Sequence, residues 1–103
     1  MQRYNKLVRD KIPEIIRAKG ERSVTRILAD DEYLREFIKK LDEEAAEFKA
    51  ENNIEELADI QEVILALADV IASRTKLEKV RLNKAESRGI FRQKIFLEGV
   101  ENE

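Results

Sequence analysis

The chain has 103 residues, 41% of them charged, with a formal net charge of -2 and neither cysteine nor histidine. That length suits a single domain with a modest core. The missing residue types exclude disulfides, thiolate nucleophiles, histidine general bases and metal sites built on sulfur or imidazole, which leaves oxygen chemistry.

The first eight residues, MQRYNKLV, read as a short arm. A helix is expected from Arg9-Asp10-Lys11-Ile12-Pro13 to about Lys19, with Asp10 as its cap, Pro13 tolerated in the first turn and Gly20 as its stop. Ile12, Ile15 and Ile16 form its expected buried face. Lys6, Arg9 and Lys11 gather at its start, where free backbone N–H groups favour an anion; they read either as phosphate ligands or as solvated charges.

Glu21 to Ala29 favours a short extended segment through Val24, Thr25, Ile27 and Leu28, with Lys94 to Leu97 as the available partner for a minor two-stranded β piece. Asp30 and Asp31 are expected to cap a helix from Glu32 to about Glu51, and Asn52-Asn53 to make the turn. A second long helix is expected from Ile54 to about Ser73, antiparallel to the first. Its apolar surface is wider than one stripe, since Val63, Leu65, Val70 and Ile71 extend it; a second subunit is the simplest cover, giving a homodimer or a dimer of dimers. Thr75-Lys76-Leu77-Glu78 reads as a capping box opening a last helix to about Arg88, with Leu77, Val80 and Ala85 inward and Gly89 as the stop. The fold class expected is all-α, a small helical bundle around two long helices.

Two carboxylate pairs stand out in the middle of the chain. Glu44 and Glu47 lie three apart on the first long helix, Glu56 and Asp59 three apart on the second, and residues so spaced share one side of a helix. Acidic residues are common here, so spacing alone carries little; position relative to the apolar stripe carries more. With Leu34, Phe37, Leu41, Ala45 and Phe48 as the first stripe, Glu44 falls about 60° and Glu47 about 120° from its centre. With Leu57, Ile60, Ile64, Leu67, Ala68 and Ile71 as the second, Glu56 falls about 70° and Asp59 about 130° away. Carboxylates at a core edge lose hydration unless a cation or donor compensates. One reading is a shared metal site; without histidine, hard cations are favoured, magnesium first and manganese as the alternative. The competing reading makes Glu56 the reciprocal partner of a capping box begun by Asn53, and Glu47 a solvated charge beside Lys49. Glu62 continues the Glu56-Asp59 line as a further candidate ligand, and Asp69 is a candidate polar partner at the same cleft.

Charge is segregated along the chain. Residues 1–19 hold six basic and two acidic side chains, residues 30–69 four and fourteen, and residues 74–94 eight and two. Basic ends folded over an acidic middle would set phosphate-binding cations, among them Lys84 and Arg88, across from metal ligands; mutual neutralisation of surfaces is the alternative. There is no glycine-rich phosphate loop, no nucleic-acid motif, and no apolar run long enough to span a bilayer or resemble a signal peptide, so a cytoplasmic protein is expected.

NKLVRDKIPEII, the EEAAEF segment, IEELADIQEV and the closing NKAESRGIFRQKIFLE resemble the MazG-like nucleotide pyrophosphohydrolases, in particular their phosphoribosyl-ATP pyrophosphohydrolase-like branch, over nearly the whole chain. The family's Glu-x-x-Glu and Glu-x-x-Asp signature falls on Glu44, Glu47, Glu56 and Asp59. Only eight residues separate Glu47 from Glu56, fewer than is usual in the family, so the hairpin must turn tightly. The resemblance implies a single all-helical enzyme domain over residues 1–103. It would hydrolyse a nucleoside triphosphate between its α and β phosphates with magnesium, with those four carboxylates as metal ligands and catalytic groups, and with Lys6, Arg9, Lys84 and Arg88 on the phosphates. A non-catalytic helical interaction module with an acidic groove is the alternative from another class. An acidic calcium buffer is disfavoured because no EF-hand loop is present.

Overall fold

The computed structural model describes residues 1–102. It is all-helical: α1 spans Ile12–Ala18, α2 Asp30–Glu51, α3 Ile54–Ile71 and α4 Arg74–Arg88, and no strand occurs among the described residues. Residues 21–29 and Lys94 to Leu97, the two halves of the minor β piece considered above, are irregular. A two-stranded ribbon without a packed face is marginal in water, and neither segment finds one here. Residues 23 and 28 alone are partly covered in the first segment, and the second is wholly exposed.

The centre of the fold is the α2/α3 hairpin. Asn52 makes its turn in the left-handed region, φ 52° and ψ 43°, with its N–H bonded to the Phe48 carbonyl at 2.8 Å. Asn53 then caps α3, its side-chain oxygen accepting the Glu56 N–H at 3.0 Å. Two residues thus reverse the chain, which is the tight turn that the short Glu47-to-Glu56 interval requires.

On α2 the packed face is the expected one: Leu34, Phe37, Leu41, Ala45 and Phe48 are all half-buried, and Tyr33 stacks edge-on against Phe37 with centroids 4.6 Å apart. On α3 the structure corrects the stripe. The most buried residue is Val63, 6% exposed, whereas Leu57, Ile64 and Ile71 are 44%, 40% and 73% exposed. The helix turns the Ile60, Val63, Leu67 and Val70 side towards α2 and leaves Ile54, Leu57, Ile64 and Ile71 on an open flank. Both sides are apolar, so the pattern alone did not indicate which one packs. With Val63 as the centre, Glu56 lies seven residues back and Asp59 four, about 20° and 40° around the axis, so both acids belong to the packed side and not to its edge.

The remaining caps also differ from expectation. α4 begins at Arg74, capped by Ser73, whose hydroxyl accepts the Lys76 N–H at 3.0 Å, not by Thr75. α2 begins at Asp30 after Ala29 without a side-chain cap, so that Asp30, Asp31 and Glu32 occupy its first turn, where negative charge complements the helix dipole. α1 has Lys11 in the cap position with no side-chain bond, and Asp10 does not cap it. Gly20 and Gly89 follow α1 and α4 with φ near +82°, as stops. Ile15 and Val80, expected inward, are 47% and 39% exposed. No helix is long and apolar enough to cross a membrane.

Candidate metal centre

The hairpin brings the four sequence-selected carboxylates together. One oxygen from each of Glu44, Glu47, Glu56 and Asp59 lies within 4.8 Å of every other. The spacing follows from the helices: Glu44 and Glu47 precede the turn by two helical turns or less, Glu56 and Asp59 follow it by the same, and two antiparallel helices in contact must bring those positions level.

The group is graded in burial. Glu44 is 8% exposed and the only buried charged residue among those described. Glu56 and Asp59 are half-buried, and Glu47 is exposed. Glu44 and Glu56 each hold one oxygen, Oε2, out of solvent with no hydrogen-bond partner. A buried acceptor left in that condition is costly, and a hard cation or a proton satisfies it. Burial, then the charge of Glu47, pushes the Glu44 carboxyl above its ordinary range, with Lys40 opposing. Burial, then the charges of Glu47 and Asp59, pushes Glu56 the same way. Glu47 is therefore the member whose charge reaches both helices' acids.

Two cations attend the group. Lys40 Nζ lies 3.5 Å from Glu44 Oε1, four residues back on α2, and Arg9 Nη2 lies 2.7 Å from Asp59 Oδ1. Neither contact was read from the sequence. The Lys40/Glu44 pair was open to discovery through its i,i+4 spacing; Arg9 and Asp59 are 50 positions apart and carry no such signal.

The competing readings separate here at Glu56. Asn53 does cap α3, but only through the Glu56 backbone N–H, so the carboxylate of Glu56 is not consumed by the cap. Glu47 is exposed and forms no ion pair with Lys49 or any other described cation, so it fits the solvated-charge reading as well as the metal reading. Glu62 is exposed and outside the group. Asp69 is bound by Arg74 at 2.8 Å at the α3/α4 junction, so it serves the chain reversal and not the cleft. Of the basic residues singled out as phosphate ligands, only Arg9 touches the carboxylates. Lys6 is exposed, 5.8 Å from the centre of the Tyr4 ring, and Lys84 and Arg88 are exposed on α4 with no ion pair among the described residues.

Four converging oxygen donors without nitrogen or sulfur suit a hard divalent ion. Their maximum spread of 4.8 Å falls within twice the calcium–oxygen distance of about 2.3–2.6 Å and exceeds twice the magnesium–oxygen distance of about 2.0–2.1 Å, so the carboxylates would have to draw in slightly to hold magnesium. The residues fit such an ion by donor type, by number and by the two orphaned oxygens.

The class that fold and site define is a small all-helical protein with a four-carboxylate centre on a helix hairpin. No family model and no solved structure matches the chain. A stretch of 44 residues, 43% of the chain, is 59% identical to a protein of Mycolicibacterium smegmatis (strain ATCC 700084 / mc(2)155) whose description is "Uncharacterized protein". The match spans 45% of that relative's length.

Proposed function

We propose that the chain is a magnesium-dependent nucleoside triphosphate pyrophosphohydrolase, cutting between the α and β phosphates to give a nucleoside monophosphate and pyrophosphate. Manganese is the natural substitute ion. The observation that carries this reading is the convergence of Glu44, Glu47, Glu56 and Asp59, with two buried oxygens lacking any partner. The family resemblance of the sequence supplies the reaction type.

When bound, the ion neutralises phosphate charge and lowers the pKa of a water molecule. Glu44, Glu56 and Asp59, rooted in the packed sides of α2 and α3, hold position. Glu47, the exposed member, faces solvent and substrate and is suited to orient the attacking water and take its proton. The water oxygen bonds to phosphorus, the α–β bridging P–O bond breaks, and its electron pair leaves on pyrophosphate. Lys6, Arg9, Lys84 and Arg88 are the groups assigned to the phosphate oxygens, with guanidinium forks suited to bidentate contact.

The same reading includes a homodimer or a dimer of dimers. A compact monomer of 12.0 kDa is expected to expose about 6,000 Å² and to have a radius of gyration of about 13 Å, against 9863 Å² and 18.5 Å here. Two adjoining grooves share Ile64, one of about 480 Å³ on the open flank of α3 beside Ile54 and Leu57 and one of about 300 Å³ between α3 and α4 beside Ile71 and Leu77. The largely exposed irregular residues 1–11, 19–29 and 89–102 carry part of this excess and the apolar flank of α3 another part, which an interface would remove from water. A second copy of the chain is the proposed cover.

The test is a hydrolysis screen over standard and damaged nucleoside triphosphates with pyrophosphate as the readout, with and without magnesium. Metal-dependent pyrophosphate release supports the proposal. No release with any substrate, together with a thermal response to ionic strength but none specific to magnesium, would favour the non-catalytic acidic-groove module.

A further inference from the structure

We propose that Arg9 is a resident counter-cation of the carboxylate centre, exchanged for a divalent ion when one binds, and that this exchange unlatches the N-terminal arm. The proposal rests on reading the four carboxylates as a cation site.

The contact is specific in a way that a surface ion pair usually is not. Arg9 lies in the irregular stretch before α1, and its Nη2 reaches Asp59 Oδ1 at 2.7 Å across 50 residues of sequence. It is the one ion pair between residues 1–20 and the hairpin among the described residues. No Cα of α1 comes within 8 Å of a Cα in another helix, so no close helix packing holds this end of the chain. Leu7, Ile12, Pro13 and Ile16 are half-covered and the rest of the arm is exposed. The arm is thus held by the partial burial of these apolar residues, and its one ionic tie to the centre is the Arg9–Asp59 hydrogen bond.

Charge explains why the bond forms and why it should yield. Four ionised carboxylates carry a formal charge of -4, and Lys40 and Arg9 are the two cations beside them. Lys40 belongs to the helix that carries Glu44 and its side chain is 20% exposed, so it stays. Arg9 is 59% exposed, lies outside any helix, and sits on one of the four prospective ligands. A divalent ion sharing Asp59 both withdraws the negative charge that holds the guanidinium and repels it. The two orphaned oxygens, Glu44 Oε2 and Glu56 Oε2, have no partner in Arg9 and would gain one from an ion held among these carboxylates, so the exchange favours the ion. The released guanidinium is left at the rim, where a phosphate group is the natural next acceptor.

Exchange makes arm position and ion affinity reciprocal. Binding of Mn2+ to the wild-type chain, Arg9→Gln and Arg9→Lys is measured by electron paramagnetic resonance at low ionic strength. Tryptic cleavage within residues 1–11 is followed with and without the ion. Arg9→Gln should bind Mn2+ roughly twofold to fivefold more tightly, the range that an exposed ion pair supplies, while Arg9→Lys stays near wild type. Mn2+ should speed cleavage of the wild-type arm, whereas the Arg9→Gln arm is cut fast in either condition. Equal affinity of wild type and Arg9→Gln, or an arm that Mn2+ leaves unchanged or protects, overturns the exchange while leaving the metal centre standing. Failure of wild type and both variants to bind Mn2+ overturns both.

Discussion

The Asn53 side-chain oxygen accepts the Glu56 backbone N–H at 3.0 Å, so the residue that caps α3 also positions the first carboxylate of its pair while leaving that carboxylate free. Asn53→Ala should lower stability by about 0.5–2 kcal/mol, the usual worth of a helix N-cap. Magnesium affinity should weaken with it, because fraying of the first turn moves Glu56. Urea denaturation with and without magnesium checks this; an unchanged midpoint would show that Asn52 and helix packing alone set the turn.

Glu47→Gln and Asp59→Asn should each reduce magnesium-dependent pyrophosphate release by at least about a hundredfold, as expected for loss of a metal ligand or a general base, with helical content by circular dichroism unchanged. Near-normal turnover at saturating magnesium by either variant would remove that residue from the centre. Loss of helical content along with activity would assign it a structural role instead.

The metal-free protein should become less stable as pH rises above the ordinary carboxylate value of 4.5. Glu44 and Glu56 are raised above the ordinary 4.5 by burial and neighbouring carboxylates. A raised native pKa means that the folded state holds the proton more tightly than the unfolded chain. The stability it contributes is therefore fully present below 4.5 and lost as pH climbs through the folded values. Glu32 and Glu78, lowered by hydrogen bonds from Arg26 and Arg81, act oppositely and only below 4.5, outside this window. Glu44→Gln should flatten the slope and raise the metal-free Tm at pH 7.5 by about 2–5 °C, a shift in the range of a fraction of a kcal/mol for a domain of this size. A Tm that increases over the same interval in the wild type would contradict the assignment.

Arg88→Ala should raise KM for the nucleotide and lower kcat/KM by roughly tenfold to a hundredfold, the worth of one charge-assisted hydrogen bond, without weakening magnesium binding to the free protein. Arg74→Ala is the comparison, since Arg74 is already committed to Asp69 at 2.8 Å. Equal and small effects from both would reduce the α4 cations to surface charge balance.

The open flank of α3 leads to a test of assembly. Light scattering at micromolar concentration should report a dimer or larger, and Ile64→Glu, in the residue shared by both grooves, should shift it towards monomer. A monomeric wild type with full activity would exclude the second copy as the cover.

Much of this architecture was legible in the residues. Gly20, Asn52 and Gly89 mark helix ends because few residues tolerate left-handed backbone, and α2 has a single apolar side, so Leu34 to Phe48 could pack only one way. The pairing of Glu44 and Glu47 with Glu56 and Asp59 followed from three-residue spacing on either side of a two-residue turn. α3 was different. Ile54, Leu57, Ile64 and Ile71 are as apolar as Ile60, Val63 and Val70, and local hydrophobicity has no term that ranks one such side above another. Only contact with α2 decided that Val63 is inside, and with it that Glu56 and Asp59 lie on the packed side. The Arg9–Asp59 bond was likewise out of reach of sequence periodicity, which describes neighbours within one helix. A contact across 50 residues exists only once the hairpin has closed and placed a charge where the arm can find it.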